Sequence, residues 1–206
     1  MNLNTPSLGS LSSGASEQAD VTIDPPVGIE PRPGQVICGD IDMRIDSNGL
    51  WHHNGSPIGR MELVKLFSTV LRRDEAGDHW LITPAEMARI QVDDAPFMIV
   101  EMMVDGGGED QTVSFRTNVE TWVTIDREHP LRVEIDSETG EPSPYVVLDS
   151  GDIASGGGLE AKLNRAVYYD LVSIGVEEWL GQAHIFGIWS GGEFFAVGRM
   201  EDENAG

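Results

Sequence analysis

Lys65, Arg72, Arg73, Arg116, Asn118 and Arg132 are the residues of this sequence best suited to hold a phosphate or carboxylate. Lys+Arg number 13 against 35 Asp+Glu, so the net charge is −22. Long-range electrostatics therefore oppose any anionic ligand. Only donors gathered within about one Debye length, ~8 Å at physiological salt, could outweigh that field. An arginine does so by bidentate, charge-assisted bonds. The alternative is that these cations are surface groups neutralised by neighbouring acids. Both readings stay open at the level of sequence.

Other residue types offer less chemistry. His52, His53, His79, His129 and His184 form no helical i, i+4 pair and sit in no cysteine cluster. His52 and His53, if on a strand, point to opposite faces, so no metal is expected. Asp93-Asp94 precedes Ala95-Pro96 and reads as a turn rather than as an acid and base. Cys38 has no histidine near it in sequence to activate it as a nucleophile. Gly156-Gly157-Gly158 resembles a phosphate loop at a helix start. However, Lys162 does not follow it in Walker spacing, and no dinucleotide fingerprint is present. No cofactor is expected and no catalytic constellation assembles.

Composition sets the frame for these residues. The hydrophobic content is 40% and the charged content 23%, both globular values. The acidity argues against a nucleic-acid polymer or an anionic membrane as partner, since each needs a basic face. A single cysteine suits a reducing compartment. No signal peptide and no transmembrane run is read, so the expectation is a soluble, cytoplasmic protein.

The elements that must position the candidate residues follow from pattern. Residues 1–35 are read as a disordered tail of small polar residues, Gly and Pro. Asn48-Gly49 and Asn54-Gly55 signal hairpin turns. Leu63, Leu66/Phe67 and Val70/Leu71 predict a helix from Arg60 to about Arg73, with Arg72 and Arg73 in its last turn. Thr83-Pro84-Ala85-Glu86 has capping-box spacing and predicts one helical turn, followed by a strand at 90–92. A hairpin is expected around Gly106-Gly107-Gly108. Strands follow near 122–125, 131–135 and 145–148. A second helix is predicted from Leu159 through Leu171. A last hairpin turns at Ser190-Gly191-Gly192. The expectation is α+β with mostly antiparallel pairing. Its domains are 36–97 and 98–200, with one long helix in each, and a frayed tail follows at 201–206. A faint echo between Glu62-Leu63-Val64-Lys65-Leu66 and Glu160-Ala161-Lys162-Leu163 suggests duplication of helices.

Four stretches carry a resemblance: 51–73 (WHHNGSPIGRMELVKLFSTVLRR), 80–97 (WLITPAEMARIQVDDAPF), 114–133 (SFRTNVETWVTIDREHPLRV), and 167–172 (VYYDLV) with 188–198 (IWSGGEFFAVG). In this order they resemble domain-of-unknown-function family 1285, a bacterial family. The resemblance spans about residues 41–198. It implies two duplicated domains, the second superficially pleckstrin-homology-like, with a suspected ligand site between them and a signalling role. The family has no established catalytic residues. Ala166 stands where the family commonly has proline, and 138–154 looks like an addition that alters the rim of such a site.

Two functional expectations follow. The first is a non-enzymatic binding or signalling protein that holds a small anionic ligand of nucleotide type between its domains, through the six residues named at the outset. The second is a protein-interaction adaptor that uses the pleckstrin-like half, its acidity steering a basic partner. An unrecognised hydrolase comes third.

Overall fold

The structure is a computed structural model that describes residues 24–149 and 158–200. Among these residues, one compact unit comprises those up to Pro96 with Gly158 and Leu159, and a second comprises 97–149 with 160–200.

The first unit opens with β1 (Val36–Ile45), β2 (Trp51–His53) and β3 (Ser56–Pro57), an antiparallel meander. Its turns are built locally. The Asp46 carboxylate accepts the main-chain N–H groups of Asn48 and Leu50, and Gly49 takes the positive φ of 73° that the turn needs. Asn54 and Gly55, both at positive φ, make the second connection. Next comes α1 (Met61–Val70), which buries Val64 and Phe67. Phe67 stacks on Trp51, with ring centroids 6.1 Å apart. A second meander, β4 (Leu71–Arg73), β5 (His79–Ile82) and β6 (Glu86–Val92), brings β6 back parallel to β1.

Three expectations change here. First, the helix stops at Val70, because Leu71 pairs across the sheet with Leu81 and its side chain is fully buried there. Arg72 and Arg73 are therefore strand residues. Second, Thr83–Glu86 is a turn and not a helical one. The Thr83 hydroxyl accepts the Glu86 N–H at 3.0 Å, as a cap would, but the Thr83 N–H donates to the Glu86 carbonyl and the chain enters β6. A capping box and a tight β-turn share the same side-chain-to-backbone bond, so spacing alone does not separate them. Third, residues 24–35 are not free tail. Pro26 is buried, Val27 N–H donates to Asp74, and the Gln35 side chain donates to the Thr83 carbonyl. The remainder of the predicted tails, 1–23 and 201–206, lies outside the described residues.

The second unit contains β7 (Phe97–Asp105), β8 (Thr112–Thr117), β9 (Trp122–Thr124), β10 (Leu131–Ile135), β11 (Pro142–Asp149) and β12 (Leu159–Leu163). Helix α2 (Arg165–Ser173) follows, and then a three-stranded antiparallel sheet, β13 (Val176–Leu180), β14 (Ala183–Ser190) and β15 (Glu193–Arg199). The predicted helix start at Leu159 is wrong. Leu159, Ala161 and Leu163 are buried in alternation, the period of a strand. The helix begins only after Asn164, whose side chain caps it by accepting the Val167 N–H at 2.8 Å.

The two six-stranded sheets repeat one topology. The first runs β3-β2-β1-β6-β5-β4. The second, read from its other edge, runs β9-β8-β7-β12-β11-β10. In each, two three-stranded halves join through one central parallel pair, β1 with β6 and β7 with β12. The helices do not repeat. α1 lies between the meanders of the first sheet, whereas α2 follows the whole of the second. The helical echo between residues 62–66 and 160–163 is thus a coincidence of short apolar patterns, since 160–163 is strand. The fold is α+β, dominated by strands, and its helices of ten and nine residues are short rather than long.

Candidate functional site

On the first sheet, Arg72, Trp80 and Arg89 are cross-strand neighbours on β4, β5 and β6. The Arg89 guanidinium lies over the Trp80 ring at 5.9 Å. It also bonds both oxygens of Asp40, at 2.6 and 3.1 Å, and one oxygen of Asp78 at 3.0 Å. These carboxylate bonds hold its pKa above the ordinary arginine value. Beneath, Trp80 Nε1–H donates to the buried Asp74 at 3.0 Å. A hollow of about 420 Å³ beside this row is lined by Asp40, Asp42, Arg44, Asp78, Arg89 and Gln91. Arg44 is itself paired with Asp93, whose carboxyl is thereby held below its usual range. Three aspartates and two arginines already engaged with carboxylates do not make an anion site.

The second sheet carries a corresponding row on the corresponding strands. Arg132 on β10 lies 4.4 Å from the ring of Tyr145 on β11, and Lys162 on β12 lies 5.5 Å from the same ring. Arg132 makes a bidentate pair with Glu160, both bonds 2.6 Å long, and also bonds Glu134. Its pKa is raised, chiefly by the bond to Glu160.

The remaining predicted residues fall as follows. Lys65, on α1, sits 3.7 Å from Glu62 one turn earlier. Arg72 bonds the carbonyls of Thr69 and Leu71. Arg73 bonds the carbonyl of Gly77. These two are consecutive on a strand and so project to opposite faces. Arg116, on β8, pairs at 2.6 Å with Glu101, directly across on β7. Asn118 follows β8, and its side chain accepts the Met98 N–H at 3.2 Å while its own N–H donates to the Met98 carbonyl. Within each unit the candidates do not converge on one point.

Two of the histidines pair with acids near them in the fold. His52 pairs with Asp46 at 3.0 Å and His184 with Glu177 at 3.1 Å. Burial, and then the Arg73 charge, push the pKa of His79 down to about 4. Burial, and then Glu86, raise that of the Cys38 thiol. Among the described residues no group of three or more His, Cys, Asp and Glu is arranged to hold a metal. Of the glycine loop, 156 and 157 lie outside the described residues. Gly158 leads into a strand, so no helix N-terminus stands there to attract an anion. Sequence reasoning missed Glu101 and Glu160 as the partners of Arg116 and Arg132. It also missed Asp74. Nothing in one sequence marks a particular acid among 35.

Residues 29–95 match the N-terminal domain of unknown function of DUF1285, and residues 96–197 match its C-terminal domain. The chain belongs to the DUF1285 family. A crystal structure of a DUF1285 protein from Silicibacter pomeroyi DSS-3 is 38% identical, with a TM-score of 0.71, and the likeness covers 82% of this chain and 88% of that one. A second, from Shewanella baltica OS155, is 27% identical with a TM-score of 0.49 over 65% of this chain and 91% of that one. No curated protein matches. The DUF1285 division at residues 95 and 96 falls at the boundary between the two compact units. Among the described residues no helix is long and apolar enough to cross a membrane.

Proposed function

We propose that this DUF1285 chain is a non-enzymatic, cytoplasmic signalling adaptor that binds another protein through its second unit, used as a pleckstrin-homology-like module. The observation that supports this is the exposure of Val176, Trp179 and Leu180 on β13, an edge strand with one neighbour. Large apolar groups left in water on a strand edge mark an interaction surface. The test is affinity capture with the full chain from the bacterium that encodes it, read by mass spectrometry. A specific, stoichiometric protein partner is expected. If no partner is captured, the reading fails.

A second reading, a small anionic ligand of nucleotide type held between the domains, is favoured by one observation. The guanidinium groups of Arg72 and Arg73 bond carbonyls, and among the described residues neither meets a carboxylate. Arg116 and Arg132 would first have to release their glutamates. A thermal-shift screen with nucleotides tests this. A ligand at a hundredfold excess over its dissociation constant stabilises by ~2.7 kcal/mol, and Arg72→Ala would remove the shift.

A further inference from the structure

We infer that the open edge of β13 is a docking site for an extended, basic segment of another protein, which joins the three-stranded sheet as a fourth strand. This rests on the adaptor reading and names the chemistry of the partner. The sheet has two edges. β15 lies against β10, and among the described residues β13 pairs with β14 alone. Gly181, at φ 68°, begins the two-residue connection to β14, and Leu180 faces Ala183 across it. Such a connection closes on a hydrogen-bonded pair. Alternation from Leu180 then directs the main-chain groups of Glu177 and Trp179 to the open edge, where an added strand would bond them.

The side chains state what that strand must carry. Glu177 and Trp179 share one face. Trp179 is 61% exposed and lies flat against His184, with ring centroids 4.6 Å apart and planes within 1°. His184 is in turn 3.1 Å from Glu177. A carboxylate and a broad aromatic surface two residues apart suit two cations on alternate positions of the incoming strand, one for ion pairing and one for the ring face. On the opposite face Val176 is 41% and Leu180 55% exposed, and they suit apolar residues at the intervening positions. β13 itself carries two glutamates and no basic residue. A second copy of this chain is the wrong occupant. Antiparallel pairing of two β13 strands about either glutamate would set that residue against its own counterpart, between molecules that each carry −22.

The experiment uses the full chain and a fluorescein-labelled heptapeptide, Thr-Arg-Val-Arg-Val-Arg-Thr, followed by anisotropy at physiological salt. Controls are the same peptide with glutamate for arginine, and two versions N-methylated either at the valines or at the arginines. The arginine peptide is expected to bind at least tenfold more tightly than the glutamate peptide. Glu177→Lys and Trp179→Ser should each weaken it at least tenfold, with unchanged circular dichroism, and one of the two N-methylated sets should abolish binding. Absence of binding would overturn the proposal. So would binding that neither variant nor either N-methylation alters, since that is charge attraction without strand addition. Affinity capture with wild type and Glu177→Lys separates this from the adaptor reading. A partner retained equally by both overturns the β13 edge and leaves the adaptor reading standing, whereas no partner at all overturns the adaptor reading.

Discussion

Arg132 and Glu160 face each other across the second sheet through two parallel 2.6 Å bonds. That geometry is the one an arginine would offer to a bound phosphate. Here the chain supplies the acid itself, so a residue chosen as an anion donor is a structural clamp between β10 and β12. Arg116 is likewise met by an acid of its own chain, one oxygen of Glu101 on the neighbouring strand β7.

Glu160→Ala should therefore destabilise the fold by ~1–3 kcal/mol. The pair is only partly shielded, which places it between exposed ion pairs and buried ones. Urea unfolding checks this. If the loss is below ~0.5 kcal/mol, the pair is a surface contact without consequence. The same variant releases Arg132, so a nucleotide that binds Glu160→Ala but not the wild type would show that the glutamate occupies an anion site.

Asp74 has a larger effect. Its buried carboxylate accepts the Trp80 indole N–H and the main-chain N–H groups of Val27 and Asp78. Asp74→Ala leaves buried donors unpaired and is expected to cost ~2–4 kcal/mol. Asp74→Asn should cost less, since its carbonyl oxygen still accepts. Deleting residues 1–23 should leave the unfolding midpoint of the first unit in place. Deletion through residue 35 should lower it, because Val27 and Gln35 are lost.

Thr83→Ala should cost ~1 kcal/mol, the value of a turn hydroxyl that accepts two main-chain N–H groups. Thr83→Ser should recover most of it. Denaturant midpoints of the three proteins decide the matter.

His79 makes stability depend on pH. Its folded pKa of about 4 lies below the ordinary 6.5, so the unfolded chain takes up the proton first. Stability from this group is complete above pH 6.5 and is lost as pH falls toward 4. Carboxylates titrate in the lower part of that window, so the measurement is a difference. Wild type should lose more stability than His79→Gln between pH 6.5 and 4.5. Parallel slopes for the two proteins would show that the imidazole is not desolvated.

Sequence alone determined what local chemistry determines. Asn54-Gly55 and the Asp46–Gly49 turn were legible, because positive φ and side-chain-to-backbone bonds are properties of a few neighbouring residues. The helix carrying Phe67 was legible for the same reason, but of the predicted stripe Leu66 is exposed, and Val64 shares the buried face with Phe67. Tertiary structure decided the rest. Leu71 and the run 159–163 fit a helical or a strand period equally well over so short a length, and only their partners, Leu81 for Leu71 and β7 for Ala161–Leu163, fixed them as strands. The repeat lies in the order of strands, which no residue pattern encodes directly. The fate of the cations was decided in the same way. Whether Arg132 meets a ligand or Glu160 depends on contacts 28 residues apart in the chain, and in a sequence with 35 acids only the sheet register selects which acid arrives.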